Sequence, residues 1–365
     1  MKIIDNIIKF YKSISKKFPV TTTFVIILAL TMPLALSQFR LALIGKFVTY
    51  AIVALGLDLL WGYTGILSLG HGVYFSLGAY MMAMHLKTQT TDFQAQGLAD
   101  FMTWSGLTKL PWFWEPFSNF AFTIIMVIVV PVLFSLVIGF PAFRSGIKGV
   151  YFTILTQALA LSLSIFFIGQ QPYTGGTNGI TGFESIAGFS LYKGETKIAL
   201  YIISVIILFL VYFLSKLLIQ SKTGRILIAI REGENRLKFL GYDPVSYKVF
   251  IYALSAAIAG IAGALFVPQV GIINPSAMGI LPSVEIAIWV AIGGRGTLKG
   301  AIIGAFVVNI VKTSLSETFP DAWWYVFGVI FILSVMFLPK GLGSLFEKIK
   351  TLVSPVSRKE AVDEK

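Results

Sequence analysis

GLDLLWGYTGILSLGHGVYFSLGAY, residues 56–80, is the stretch that decides the fold class. It is apolar on balance, yet it holds one aspartate, one histidine, six glycines and several hydroxyls. An acid at bilayer depth is costly, so Asp58 must face protein, water or a solute path. Glycines at that depth let helices approach one another closely. A simple anchor needs neither feature, so this is the interior of a working membrane protein. Trp61–Gly70 reads as a turn between two spans, with His71 near the membrane edge.

The rest of the chain agrees. Of 365 residues, 56% are hydrophobic and only 13% charged, where a soluble domain carries about 25%. There is no cysteine, which excludes disulfides, thiol catalysis and cysteine-held zinc. His71 and His85 are the only histidines and lack metalloenzyme spacing. The net charge of +12 does not point to nucleic acid, because the lysines and arginines lie in short loops between apolar runs.

The expected architecture is an all-α polytopic membrane protein with about ten transmembrane segments, some short or broken, and both termini cytoplasmic. Residues 1–19 form a basic amphipathic arm on the cytoplasmic side, 20–340 the transmembrane domain, and 341–365 a polar cytoplasmic tail. Spans are expected at 20–37, 41–60, 63–86, 120–140, 150–168, 198–218, 249–267, 284–292, 301–311 and 323–338. The first has a cleavage-like Ala35-Leu36-Ser37, but Pro33 interrupts its apolar run, so it is read as a retained span. Cytoplasmic termini place 22 of 29 basic residues inside and five outside, with Lys46 and Lys312 within spans. The eighth and ninth segments fall short of the ~20 residues a spanning helix needs and read as broken or re-entrant.

Three groups of residues could carry function. Small residues at Gly72, Ser76, Ala79 and Ala83, at Ala256, Gly260 and Ala264, and at Gly300 and Gly304 are packing seams. Polar residues inside spans are candidates for a solute pathway: Thr153, Gln157 and Ser164 on one face of the fifth span, Asn309 in the ninth, and Asp58 and Glu285. Each also has a structural reading, as a hydrogen bond to a neighbouring helix or a pairing with backbone or a basic side chain. Finally, the loop 219–248 is basic but contains Ile226, Ile230, Leu237 and Leu240, as a short amphipathic helix docking on a cytoplasmic partner would. No GxxxxGK[ST] is present, so this chain binds no nucleotide through a P-loop.

LDLLWGYTGILSLGHGVYFSLGAY and AIREGENRLKFLGYDPVSYKVFIYALSAAIAGIAGALF resemble the M-type permeases of branched-chain amino acid ABC importers. Within that family the C-terminal half is more similar to the C-type permease of urea importers. The residues behind this are GVYFTILTQALAL, GGTNGITGF, NPSAMGILPSVEIAIWVAIGGRGTLKGAIIGAFVVN and LSETFPDAWWYVFGVIFI. The amino acid branch usually has a GGxGS-like turn where this chain has GGRGT.

The resemblance implies a urea permease subunit with no ATPase site of its own, in the bacterial cytoplasmic membrane. It implies a second homologous permease, two cytoplasmic ATPases that hold ATP and magnesium, and an extracytoplasmic solute-binding protein. Arg225, Arg231, Glu232, Asn235 and Gly241 match the family's coupling loop. Branched-chain amino acids or short amides remain alternative solutes. A proton-coupled carrier using Asp58 and Glu285 is an alternative of another class.

Overall fold

The computed structural model describes residues 31–319 together with 325, 328, 329 and 332. The arm 1–19, most of the span 20–37, most of the span 323–338 and the tail 341–365 lie outside the described residues. Nine helices of 14 residues or more organise the rest: α1 (Gln38–Thr64), α2 (His71–Thr88), α3 (Phe120–Arg144), α4 (Val150–Gly169), α5 (Gly194–Gln220), α6 (Lys222–Phe239), α7 (Pro244–Val270), α8 (Ile280–Gly293) and α9 (Leu298–Thr318). Six of them, α1, α3, α4, α5, α7 and α9, are long and apolar enough to cross a membrane.

The other three differ for physical reasons. α2 lies at the centre of the bundle against α7 and α3, with α8 and the segment before it alongside, and all 18 of its residues are buried. It faces protein on every side, so it is built from small and polar residues as well as apolar ones. α8, at 14 residues, is about 21 Å long and too short to cross. α9, expected over 301–311, runs for 21 residues instead. α6 is the amphipathic helix expected in the 219–248 loop, and it breaks at Gly233, whose φ of −177° and ψ of 77° are extended.

The third span was expected to start at Tyr63. In the structure Tyr63 and Thr64 finish α1, and α2 begins at His71. Gly65, at φ 77°, ends α1 in the left-handed conformation, which costs glycine little. The non-helical backbone that follows is exposed at Gly65 and partly or fully buried from Ile66 to Gly70, where α4 supplies its partners. Thr153 Oγ1 donates to Leu67 O at 3.0 Å, and Leu69 N donates to Thr156 Oγ1 at 3.1 Å. Irregular backbone inside a membrane protein is tolerated only with such partners.

Glycine sets the closest crossings. A Cβ on Gly78 would run into the backbone of Gly260, and one on Gly263 into Phe75 O, so α2 and α7 touch main chain to main chain. Gly293 meets Gly300 and Gly304 in the same way and locks α8 and α9 into a hairpin. At the end of the bundle near the α2 C-terminus, Ile180–Thr181 pairs antiparallel with Ile272–Ile273. Lys87 there donates to Thr181 O at 3.1 Å and pairs with Asp100 at 3.0 Å.

Candidate functional site: a charged cavity and an amphipathic helix

Two places concentrate polar chemistry. The first is a cavity of about 320 Å³ between α1, α2, α7 and the α8–α9 hairpin. Its polar wall is Tyr50, Ser276, Glu285, Trp289 and Lys312, and the remainder is mostly apolar. Lys312 Nζ donates to both carboxylate oxygens of Glu285, at 2.6 and 2.8 Å. Glu285 and Lys312 side chains are 15% and 28% exposed, so the pair is partly shielded from water. Lys46 lies one turn before Tyr50, with its ammonium 5.7 Å from that ring's centroid. It is within electrostatic reach of both Glu285 and Lys312. Two cations and one anion thus share this region. Tyr50 packs on Trp289 and Phe266, at centroid distances of 4.7 and 5.7 Å. The Trp289 indole N–H is buried and donates to no atom among the described residues. The cavity therefore offers a carboxylate acceptor, an ammonium donor and aromatic faces.

The second place is the end of the bundle where α6 lies. Arg231 Nη1 donates to Gly62 O at 2.6 Å, which ties α6 to the last turn of α1. Its Nη2 stands 3.5 Å from the exposed carboxylate of Glu232. Just past the break in α6, Glu234 accepts from Lys148 at 2.8 Å and from Lys248 at 2.7 Å. Those lysines come from the α3–α4 connection and from α7, so a single carboxylate pins α6 to two further elements. Burial alone would raise the Glu234 carboxyl, but the two lysines outweigh it and hold it below the usual range. The Lys248 side chain is only 5% exposed.

α6 ends in a Schellman turn. Gly241, at φ 82°, donates to Lys238 O, and Tyr242 N donates to Leu237 O. Asp243 then caps α7 through the amides of Val245 and Ser246. The tight reversal leaves Phe239 92% and Leu240 74% exposed. Arg225, Glu232 and Asn235 are exposed on the same helix. Gly241 shapes this surface by ending α6.

The residues proposed from sequence as a solute pathway do not converge. Only Glu285 lines the cavity. Thr153 holds the α1–α2 turn, and Ser164 Oγ donates to Pro275 O at 2.9 Å, steadying the segment that leads into α8. Gln157 is half-buried on α4. Asn309 is buried and donates to Ala305 O of its own helix at 2.7 Å. Asp58 is fully buried and accepts the Gly296 N–H at 2.6 Å, away from the cavity lining. Lys312, Tyr50, Trp289, Glu234 and Lys248 were not singled out from sequence. Lys312 carried a signal, as a cation inside a span. Its partner becomes apparent once α8 and α9 fold back on one another.

A family profile described as "Branched-chain amino acid transport system / permease component" matches residues 39–336, a range that contains both places. The chain belongs to this permease family. LivM of Salmonella typhimurium, a high-affinity branched-chain amino acid transport permease, is 25% identical over 87% of this chain and 73% of its own. BraD of Pseudomonas aeruginosa, described likewise, is 24% identical over 80% of this permease and 91% of its own length. A probable LivM of Methanocaldococcus jannaschii is 26% identical over 86% and 94%. No solved structure matches the permease.

Proposed function

We propose that this permease is the membrane subunit of an ATP-driven importer, with both termini cytoplasmic, and that its solute is urea. The observation that carries the importer reading is α6. It is held to the bundle by Arg231 and Glu234, and it presents Phe239 and Leu240 to solvent past a glycine stop. A groove on a cytoplasmic ATPase would cover those two side chains. Energy then comes from partner chains that hold ATP and magnesium. A second homologous permease completes the pore, and an extracytoplasmic binding protein delivers the solute.

The urea reading rests on where the family's subgroup resemblance falls. The stretch 274–309, which resembles the urea branch, contributes Ser276, Glu285 and Trp289 to the cavity. Urea is uncharged, with one carbonyl acceptor and four N–H donors. The Glu285 carboxylate can accept from those N–H groups and the Lys312 ammonium can donate to the carbonyl, while each neutralises the other at close range.

A second reading has its own support. The relatives named above are described as branched-chain amino acid permeases, and Lys46 adds a cation that suits an amino acid carboxylate. Labelled-urea uptake by the reconstituted complex, with leucine as competitor, separates the two. Urea uptake insensitive to leucine supports the first reading. Leucine uptake without urea uptake overturns it. Uptake by this chain alone, abolished by collapsing the proton gradient, would favour a proton-coupled carrier.

A further inference from the structure

We propose that Asp58 is a positioning residue that carries movement of α6 to the α8–α9 hairpin. The inference rests on the ATP-driven reading above and adds the route by which the cavity responds to the ATPase.

The route is a series of direct contacts. Arg231, on the partner-facing helix, holds Gly62 O at 2.6 Å. Asp58 stands one turn earlier on α1, and its Oδ1 holds Gly296 N at 2.6 Å. Gly62 is where the two meet. A Cβ there would stand 2.5 Å from Asp58 Oδ1, 2.5 Å from Gly296 N and 2.6 Å from Gly296 Cα. The main chains of α1 and the α8–α9 turn are therefore in contact, with Arg231 on the same spot. Gly296, at φ 78°, sits in the turn that joins α8 to α9. Main-chain packing of Gly293 on Gly300 and Gly304 makes the hairpin one body. That body carries Glu285, Trp289 and Lys312 of the cavity. A shift of α6 thus reaches the cavity wall through two hydrogen bonds, both charge-assisted.

The cost of Asp58 supports this role. A buried carboxylate in a span is expensive. Static packing could be achieved by an apolar side chain, or by the amide or hydroxyl of a neutral one. A carboxylate makes the stronger bond to an N–H, which suits a link that must hold while its ends move.

The absence of cysteine gives a clean background for paired labels. Spin labels at Lys222→Cys and Lys299→Cys report α6 against α9, and labels at Lys222→Cys and Arg144→Cys report α6 against α3. Both pairs are read in the complete complex with and without ATP, alongside uptake and ATP hydrolysis. In Asp58→Ala the α6–α3 response to ATP should persist, while the α9 response is lost. Uptake should fall at least tenfold while ATP hydrolysis continues. Asp58→Asn keeps an oxygen that accepts from Gly296 through a weaker, neutral bond, and should show uptake between that of Asp58→Ala and that of the unsubstituted complex. Arg231→Ala should reproduce the defect of Asp58→Ala, and Arg231→Gln, which keeps a donor, should restore part of it. Two links in series predict that Asp58→Ala plus Arg231→Ala is no worse than either alone.

An α9 response that survives Asp58→Ala overturns the proposal, as does a double variant whose losses multiply. Should Asp58→Ala fail to assemble, the exposed Arg231 variants decide it by the same labels. If ATP moves neither pair in the unsubstituted complex, the ATP-driven reading falls, and this proposal with it.

Discussion

Removing the Glu234 carboxylate should free α6 from the bundle, and the size of the effect follows from what remains. Glu234→Ala leaves the Lys248 ammonium, 5% exposed, without its partner at 2.7 Å. Breaking a buried ion pair on one side costs about 3–5 kcal/mol. The other half of the cluster counts for less, because Lys148 is 48% exposed and water replaces much of what it loses. An exposed pair contributes about 0–1 kcal/mol. The expected cost is therefore about 3 kcal/mol, or roughly a hundredfold in the local opening equilibrium at about 1.4 kcal/mol per decade. Amide hydrogen exchange over 222–243 in the detergent-solubilised permease reads this directly. Glu234→Ala should lower protection there by about two decades, whereas Lys148→Ala should lower it by less than one. Glu234→Leu with Lys248→Met leaves no buried charge and should recover much of the loss. The sign with pH follows from the lowered carboxyl. Its contribution is complete above the ordinary glutamate range and is lost as pH falls through the depressed value. Equal effects of Glu234→Ala and Lys148→Ala, or additive losses in the Leu/Met double variant, would refute the reasoning.

Three further outcomes are expected. Lys312→Met strands Glu285 in the cavity and should reduce uptake at least tenfold; Glu285→Gln added to it should recover thermal stability, read by intrinsic fluorescence, without recovering uptake. Gly78→Ala places a methyl on the Gly260 main chain and should lower the melting temperature by several degrees, while Gly169→Ala, with open space around it, should leave it unchanged. Phe239→Asp with Leu240→Asp should weaken ATPase association at least tenfold in a pull-down with the purified partner, since covering each apolar side chain contributes about 1.5–3 kcal/mol, while the isolated permease keeps its fold.

The helices that face an apolar surround were the legible ones. α3, α4 and α5 stand within a few residues of the expected spans, because an unbroken apolar run both signals and requires a helix in lipid. Legibility failed where protein replaces lipid as the surround. The α1–α2 turn was legible within 61–70, but not where α1 ends inside that range, and its partners Thr153 and Thr156 are nearly ninety residues away. Within the polar stripe of α4, Thr153 holds that turn and Ser164 holds the segment before α8. α9 looked short because Asn309, Lys312 and Thr313 interrupt its apolar pattern, yet each is satisfied by its own helix or by Glu285. The sequence marks which groups are expensive to place, and only the packing identifies what stabilises each one.

That distinction bears on which parts can move. α2 has no exposed residue and meets α7 through glycine main-chain contacts, so displacing it would break close packing along its length. The α8–α9 hairpin is rigid within itself and packs on α1, and at its turn the Asp58–Gly296 bond adds a directed link to that helix. α6 is likewise held by Arg231 and Glu234, on either side of a break in its own helix. Discrete charged bonds can be exchanged one at a time at modest cost, whereas an interdigitated glycine seam gives way only as a whole. The chain's costly charges thus mark its joints and its glycine seams mark its frame, which is why Gly56–Tyr80 contains both: a hinge contact at Asp58 and a fixed post from Gly72 onward.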